Sequence, residues 1–172
     1  DLQANGLMGD GGSILLSGGA HLALSNAQVK VNGSNDGGLV QILTQNGDVL
    51  LQDTLIQANG SNGRGGSIGV SGANKTTATN STIEANGFSK GGTILIGNDA
   101  QNGTLPFSLL TSLDANTLLS AHHTDQSNLT GGGFIETSGH TLQMLASINA
   151  GRGGIWLIDP YNITITSADS NS

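Results

Sequence analysis

Apolar and polar residues alternate in short runs along this chain, and the runs return at a nearly constant interval. Leu2-Gln3-Ala4-Asn5-Gly6, Val29-Lys30-Val31-Asn32-Gly33, Ile56-Gln57-Ala58-Asn59-Gly60 and Ile83-Glu84-Ala85-Asn86-Gly87 lie 27 residues apart. Between them a Gly-Gly pair opens a second alternating run, beginning at Gly11, Gly37, Gly65 and Gly91. Aligning these runs gives two apolar columns, Ile14/Val40/Ile68/Ile94 and Leu16/Ile42/Val70/Ile96. Alternation of period two places both columns on one face of a strand. A third run supplies Leu22/Leu24 and Val49/Leu51. Each repeat therefore holds three short strands separated by Gly, Asn and Ser turns.

Three strands per repeat, each matched to its counterpart one repeat on, predict an all-β parallel β-helix of about six coils. Coils would pair about 4.8 Å apart, with like residues stacked in the core. The Asn of each phrase is a candidate ladder residue, its amide bonding to the same amide one coil up. The Gly after it suits a left-handed turn. Leu113-Asp114-Ala115-Asn116 reads as a fifth phrase, arriving 30 residues after the fourth. The expected ladder is thus Asn5, Asn32, Asn59, Asn86 and Asn116. Gly132-Gly133 and Gly153-Gly154 restart the Gly-Gly strand. One domain over residues 1–166 follows, with regular coils at 1–97, irregular coils at 98–166, and a polar tail at 167–172. Extra residues fall in a turn at Asn98–Pro106 and a long loop at Thr117–Thr130. Insertions in solenoids map to turns, often on a binding face.

Composition narrows the function classes. The chain has 172 residues, 28 Gly, no Cys and a net charge of −7, with five Lys and Arg. So few cations form no basic stripe, which argues against nucleic acid and anionic membrane surfaces. No apolar run is long enough to span a bilayer, so no membrane insertion is expected. Absence of Cys excludes a disulfide scaffold. The chain opens in register at Leu2 without an initiator Met, which reads as a piece of something longer.

Two segments near the C-terminus carry a resemblance. Gly131-Gly132-Gly133-Phe134-Ile135-Glu136-Thr137-Ser138-Gly139-His140 is followed by Gly153-Gly154-Ile155-Trp156-Leu157-Ile158-Asp159-Pro160-Tyr161-Asn162-Ile163-Thr164-Ile165. Together they resemble the paired signature of filamentous-haemagglutinin-type two-partner-secreted exoproteins, including the high-molecular-weight adhesins. Glu136, Thr137, Ser138, Gly139, Trp156, Asp159 and Pro160 carry the match. The resemblance implies a right-handed parallel β-helix, export through an outer-membrane two-partner transporter recruited by an upstream domain, and adhesion at the surface of a Gram-negative cell. The family's secretion domain has Asn-Pro-Asn motifs. The only prolines here are Pro106 and Pro160, which places this segment after that domain. In such a motif Glu136 and Asp159 hold turns.

Candidate chemistry is sparse. Gly65-Gly66-Ser67-Ile68-Gly69 matches a nucleophile-elbow string but lacks its strand-turn-helix context. His122, His123 and Asp125, in the long loop, are the densest set of polar ligands. Adjacent His side chains in extended chain point apart, so the pair seldom chelates one ion; a solvated loop is the plain reading, and a ligand or metal contact the functional one. The acids Asp10, Asp36, Asp48, Asp53, Glu84 and Asp99 spread over several faces. Of seven Asn-x-Ser/Thr sequons, Asn74, Asn80, Asn102 and Asn128 lie in less regular turns and are the candidate glycan acceptors. The expected function is a structural and adhesive rod, with no catalysis and no cofactor, contacting a host or neighbouring-cell receptor or glycan. A filament subunit joined end to end through exposed coil edges is one alternative. A β-helical polysaccharide lyase or hydrolase is the other.

Overall fold

A computed structural model of the chain describes residues 1–98 and 104–161. The strands of the first two coils are β1 (Leu2–Gln3), β2 (Ser13–Gly18), β3 (His21–Ser25), β4 (Gln28–Lys30), β5 (Leu39–Thr44) and β6 (Asp48–Gln52). Then follow β7 (Leu55–Gln57), β8 (Ser67–Gly72), β9 (Lys75–Thr79), β10 (Thr82–Glu84), β11 (Thr93–Ile96) and β12 (Leu110–Leu113). The last are β13 (Leu118–Ser120), β14 (Phe134–Gly139), β15 (Thr141–Met144), β16 (Ser147–Asn149) and β17 (Ile155–Pro160). Every pairing is parallel and joins a strand to its counterpart one coil away. Three sheets result: β1-β4-β7-β10-β13-β16, β17-β14-β11-β8-β5-β2 and β15-β12-β9-β6-β3. The parallel β-helix of three strands per coil is therefore the architecture, and no helix occurs among the described residues.

The registers explain the core. Ile14, Val40, Ile68, Ile94, Ile135 and Trp156 pair in succession, as do Leu16, Ile42, Val70, Ile96, Thr137 and Ile158. From Val40 to Ile135 the first column is fully buried. Each such aliphatic side chain contributes about 1.5–3 kcal/mol by leaving water. The third sheet is less apolar. Thr76 and Thr111 occupy the column begun by Leu22 and Val49. Thr76 Oγ1 accepts the Gly72 N–H at 2.9 Å and donates to Ser108 Oγ at 3.2 Å. Hydrogen bonding offsets part of the cost of placing a hydroxyl inside.

The Gly-Gly pairs are sterically required. A Cβ on Gly38, Gly66 or Gly92 would meet the backbone carbonyl of the glycine one coil below. The third-sheet corner has its own residue preference. Asn26, Asp53 and Asn80, 27 residues apart, all adopt positive φ, between 46° and 51°. Asn and Asp tolerate this left-handed region better than other side chains with a Cβ.

Of the Asn98–Pro106 insertion, Asn98 and residues 104–106 are described. There Leu105 packs over Gly69, and the Pro106 carbonyl accepts the Ser71 hydroxyl at 2.6 Å. The segment thus covers the outer face of β8 before Leu110 rejoins the third sheet. The 167–172 tail and Asn102 lie outside the described residues.

Candidate functional site

The Asn phrase does form a ladder, of a different kind from the expected amide-to-amide stack. The carboxamide oxygen of each Asn accepts the backbone N–H of the next. Asn5 Oδ1 takes Asn32 N–H at 2.9 Å, Asn32 takes Asn59 at 2.8 Å, and Asn59 takes Asn86 at 2.7 Å. Backbone donors at a solenoid corner need such partners, because strand pairing ends there.

Asn116 is not on this ladder. Leu113 pairs with Ala78 and Met144 in the third sheet, so Leu113-Asp114-Ala115-Asn116 is the corner equivalent to Ala78–Ser81. The fifth phrase is instead Leu119-Ser120-Ala121-His122-His123. Ile83 pairs with Leu119 and Glu84 with Ser120, while Gly87 bridges to His123. His122 stands where Asn86 stood, and its N–H reaches Asn86 Oδ1 at 3.1 Å. The long loop is correspondingly shorter than Thr117–Thr130. Thr117 is buried at a corner, Leu118–Ser120 is strand, and the extra length begins at Thr124.

This corner is well held. Thr124 and Asp125 N–H groups bond to the Gly87 and Phe88 carbonyls one coil below. Asp125 Oδ1 accepts the Ser127 hydroxyl at 2.6 Å and its N–H at 2.9 Å. These two bonds, and the nearby His123, hold the Asp125 carboxyl below its ordinary value. Asn128 Nδ2 donates to the Ser89 carbonyl at 2.8 Å. His123 Nε2 lies 2.6 Å from the Asn128 carbonyl, which can only accept, so Nε2 carries a proton. His123 Nδ1 is buried with no partner among the described residues. Ser120 Oγ donates to Asn86 Oδ1 at 2.8 Å and lies 2.9 Å from His122 Nδ1. A hydroxyl has one hydrogen, so His122 Nδ1 donates, and in the neutral ring Nε2 is then an acceptor. Both imidazoles, with Asn128, Asn149 and Arg152, line a cavity of about 190 Å³. Its chemistry suits polar recognition: amides, an imidazole acceptor and one guanidinium. The structure thus keeps His122 and His123 together, while Asp125 turns into its own Asx turn.

The remaining candidates are dispersed. Ser67 opens β8 and is followed by strand, not helix. Asn74 is exposed, with Nδ2 3.5 Å from the Asn46 carbonyl. Asn80 Nδ2 donates to Asp53 Oδ1. Asp10 Oδ1 accepts Asn35 Nδ2 and the Asp36 N–H, Asp48 lies 3.9 Å from His21, and Glu84 accepts from Gln57. Among the described residues no three His, Asp or Glu gather as a metal set.

The residues of the family resemblance sit on neighbouring coils. Strand β14 pairs with β17 over its full length: Glu136 with Leu157, Thr137 with Ile158, Ser138 with Asp159 and Gly139 with Pro160. Trp156 stacks on Ile135, and its Nε1 donates to Thr137 Oγ1 at 3.1 Å. Glu136 and Asp159 do not hold turns; both lie within strands. Glu136 is fully buried on the outward side of β14 and accepts the Ser138 hydroxyl at 2.6 Å.

Among solved structures, the chain is similar to the HMW1 secretion domain from Haemophilus influenzae, with a TM-score of 0.58 and 19% identity. The match covers 86% of this chain and 48% of that one, so the chain spans about half its length. At this identity the likeness shows a shared β-solenoid fold. No family model and no curated protein matches the sequence.

Proposed function

We propose that this chain is a β-helical segment of a large secreted exoprotein, acting as a rigid adhesive rod at a bacterial cell surface. The observation that carries the reading is the register of β14 on β17. The two halves of the exoprotein-like signature, separated in sequence, lie side by side in the fold, residue against residue. A fold shared with a secretion domain from HMW1 is consistent with an exported protein. Export would run through an outer-membrane transporter recognised by a part of the protein not in this chain.

In this reading the coils are spacer and the Thr124–Thr130 corner carries contact with a neighbouring-cell receptor, because it is the longest departure from the repeat on that edge. The test is adherence of chain-coated beads to epithelial cells. Coated beads should bind well above albumin-coated controls. Replacing Thr124–Thr130 with the shorter corner Ser61–Arg64 should abolish the difference while β circular dichroism is retained. Adherence equal to the controls with the intact chain would overturn the proposal.

A further inference from the structure

We infer that the Gly-Gly groove is a binding site for a linear acidic polysaccharide, anchored by Arg64 and Lys90. The groove is an open channel of about 700 Å³ that runs along the solenoid axis over the stacked Gly-Gly pairs. One wall is the column Ser13, Leu39, Ser67, Thr93, Phe134 and Ile155, the first residue of each strand in this sheet. The other wall carries Arg64 and Lys90; they belong to a backbone column, the residue before each Gly-Gly pair, that also holds Asp10, Asp36, Gly131 and Arg152. Their alignment is fixed by backbone bonds, since Gly37, Gly65, Gly91 and Gly132 N–H groups reach the carbonyls of Arg64, Lys90, Gly131 and Arg152.

Three of the chain's five cations fall on this one column, in a chain of net charge −7. The sequence suggests no basic stripe because these residues are far apart along the chain; folding assembles a short one. All three are exposed, and none is ion-paired among the described residues. Arg64 and Lys90 bridge in parallel on adjacent coils, about 4.8 Å apart. That rise is close to one pyranose unit along an extended polymer, so successive acidic sugars would each meet a cation. Arg152, two coils beyond Lys90 on the same backbone column, borders the cavity beside His122 and not the groove. The opposite wall offers what a sugar ring needs: hydroxyls at Ser67 and Thr93, with apolar faces at Phe134 and Ile155. Asp10 and Asp36, at the other end of the same column, repel a polyanion and confine it to the half of the groove that begins at Arg64. A duplex is too wide and too highly charged for this surface, and a single strand would want more than one aromatic platform.

Thr130 borders both this groove and the Thr124–Thr130 corner, but the anchors Arg64 and Lys90 lie outside that corner, so each proposal has its own variant and readout. The test is titration of the full chain with polygalacturonate, dextran sulfate, neutral dextran and poly-dT by fluorescence anisotropy or calorimetry. Binding to both acidic polysaccharides, weakening with salt and absent for neutral dextran, is expected. Arg64→Ala/Lys90→Ala should bind at least about tenfold more weakly, as lost charge-assisted contacts do. Lys30→Ala/Lys75→Ala removes the same charge elsewhere and should change binding less than about twofold. Equal loss in both double variants, no binding by the intact chain, or equal affinity for poly-dT would overturn the inference. Unchanged circular dichroism in each variant separates lost contacts from lost fold.

Discussion

His122 follows Asn86 on the corner ladder: the Asn86 carboxamide oxygen accepts the His122 backbone N–H at 3.1 Å, in the place where three earlier coils use another Asn. The ladder is therefore a chain of side-chain acceptors for backbone donors. Any residue but proline can donate, whereas the acceptor must be a short side chain with an oxygen at this reach, which Asn supplies here. Asn59→Ala should strand the Asn86 N–H and also lose the Asn59 Nδ2 contact to Glu84. An unsatisfied, partly buried donor costs about 1–3 kcal/mol. Asn116→Ala, at an exposed corner off the ladder, should cost under about 0.5 kcal/mol. Urea unfolding of the two variants decides; equal midpoints would show that the ladder contributes nothing.

The Gly-Gly stack gives a second contrast. A Cβ at Gly92 would run into the Gly66 carbonyl, with no flexible side chain to yield. At Gly9 a Cβ would meet nothing within 4 Å. Gly92→Ala should therefore lose the folded state or lower the unfolding temperature steeply, whereas Gly9→Ala should leave it nearly unchanged. Thermal melts by circular dichroism separate the two.

What the sequence makes legible and what it hides follow from one physical cause. Columns such as Ile14/Val40/Ile68/Ile94 are readable because each coil presents the same apolar face to the same core. The slip at Leu113-Asp114-Ala115-Asn116 arises because a four-residue string matches the Asn phrase by chance. What fixes its place is the phase of the preceding strand, where Thr111 and Leu113 continue Thr76 and Ala78. Thr in an inward column breaks the alternation that a reader relies on. The true fifth phrase keeps its apolar pair, Leu119 and Ala121, but has His122-His123 for Asn-Gly. The positive-φ column Asn26/Asp53/Asn80 carries a sequence signal, 27-residue spacing of Asx residues, that is easily overshadowed by the Asn-Gly phrase. The basic column is legible only after Arg64, Lys90 and Arg152 are placed one residue before their Gly-Gly pairs.

Core position should dominate large-to-small substitutions. Ile68 is fully buried between Val40 and Ile94. Ile68→Ala removes that burial and leaves a cavity, at a cost of about 2–5 kcal/mol. Ile155, on the groove wall and 60% exposed, should cost well under half as much when changed to Ala. Guanidinium midpoints measure both, and similar losses would mean that the inward columns do not form the core.

The acid response should involve Asp114. The Thr117 hydroxyl, at 2.7 Å, is the main cause that holds its carboxyl below the ordinary 3.8, and N–H groups of Asn80, Asn116 and Thr117 add to it; partial desolvation acts in the opposite direction. A carboxyl whose folded value is depressed stabilises the fold above its unfolded value and loses that contribution as pH falls through the folded one. The window therefore opens near pH 3.8 and extends below it. Asp114 is largely solvated, so the effect is modest. Asp114→Asn should lower stability at neutral pH and shrink the difference from the parent as pH drops below that value. Urea unfolding at neutral and acid pH checks the sign. A gap that widens on acidification would mean that the protonated form of Asp114 is the stabilising one.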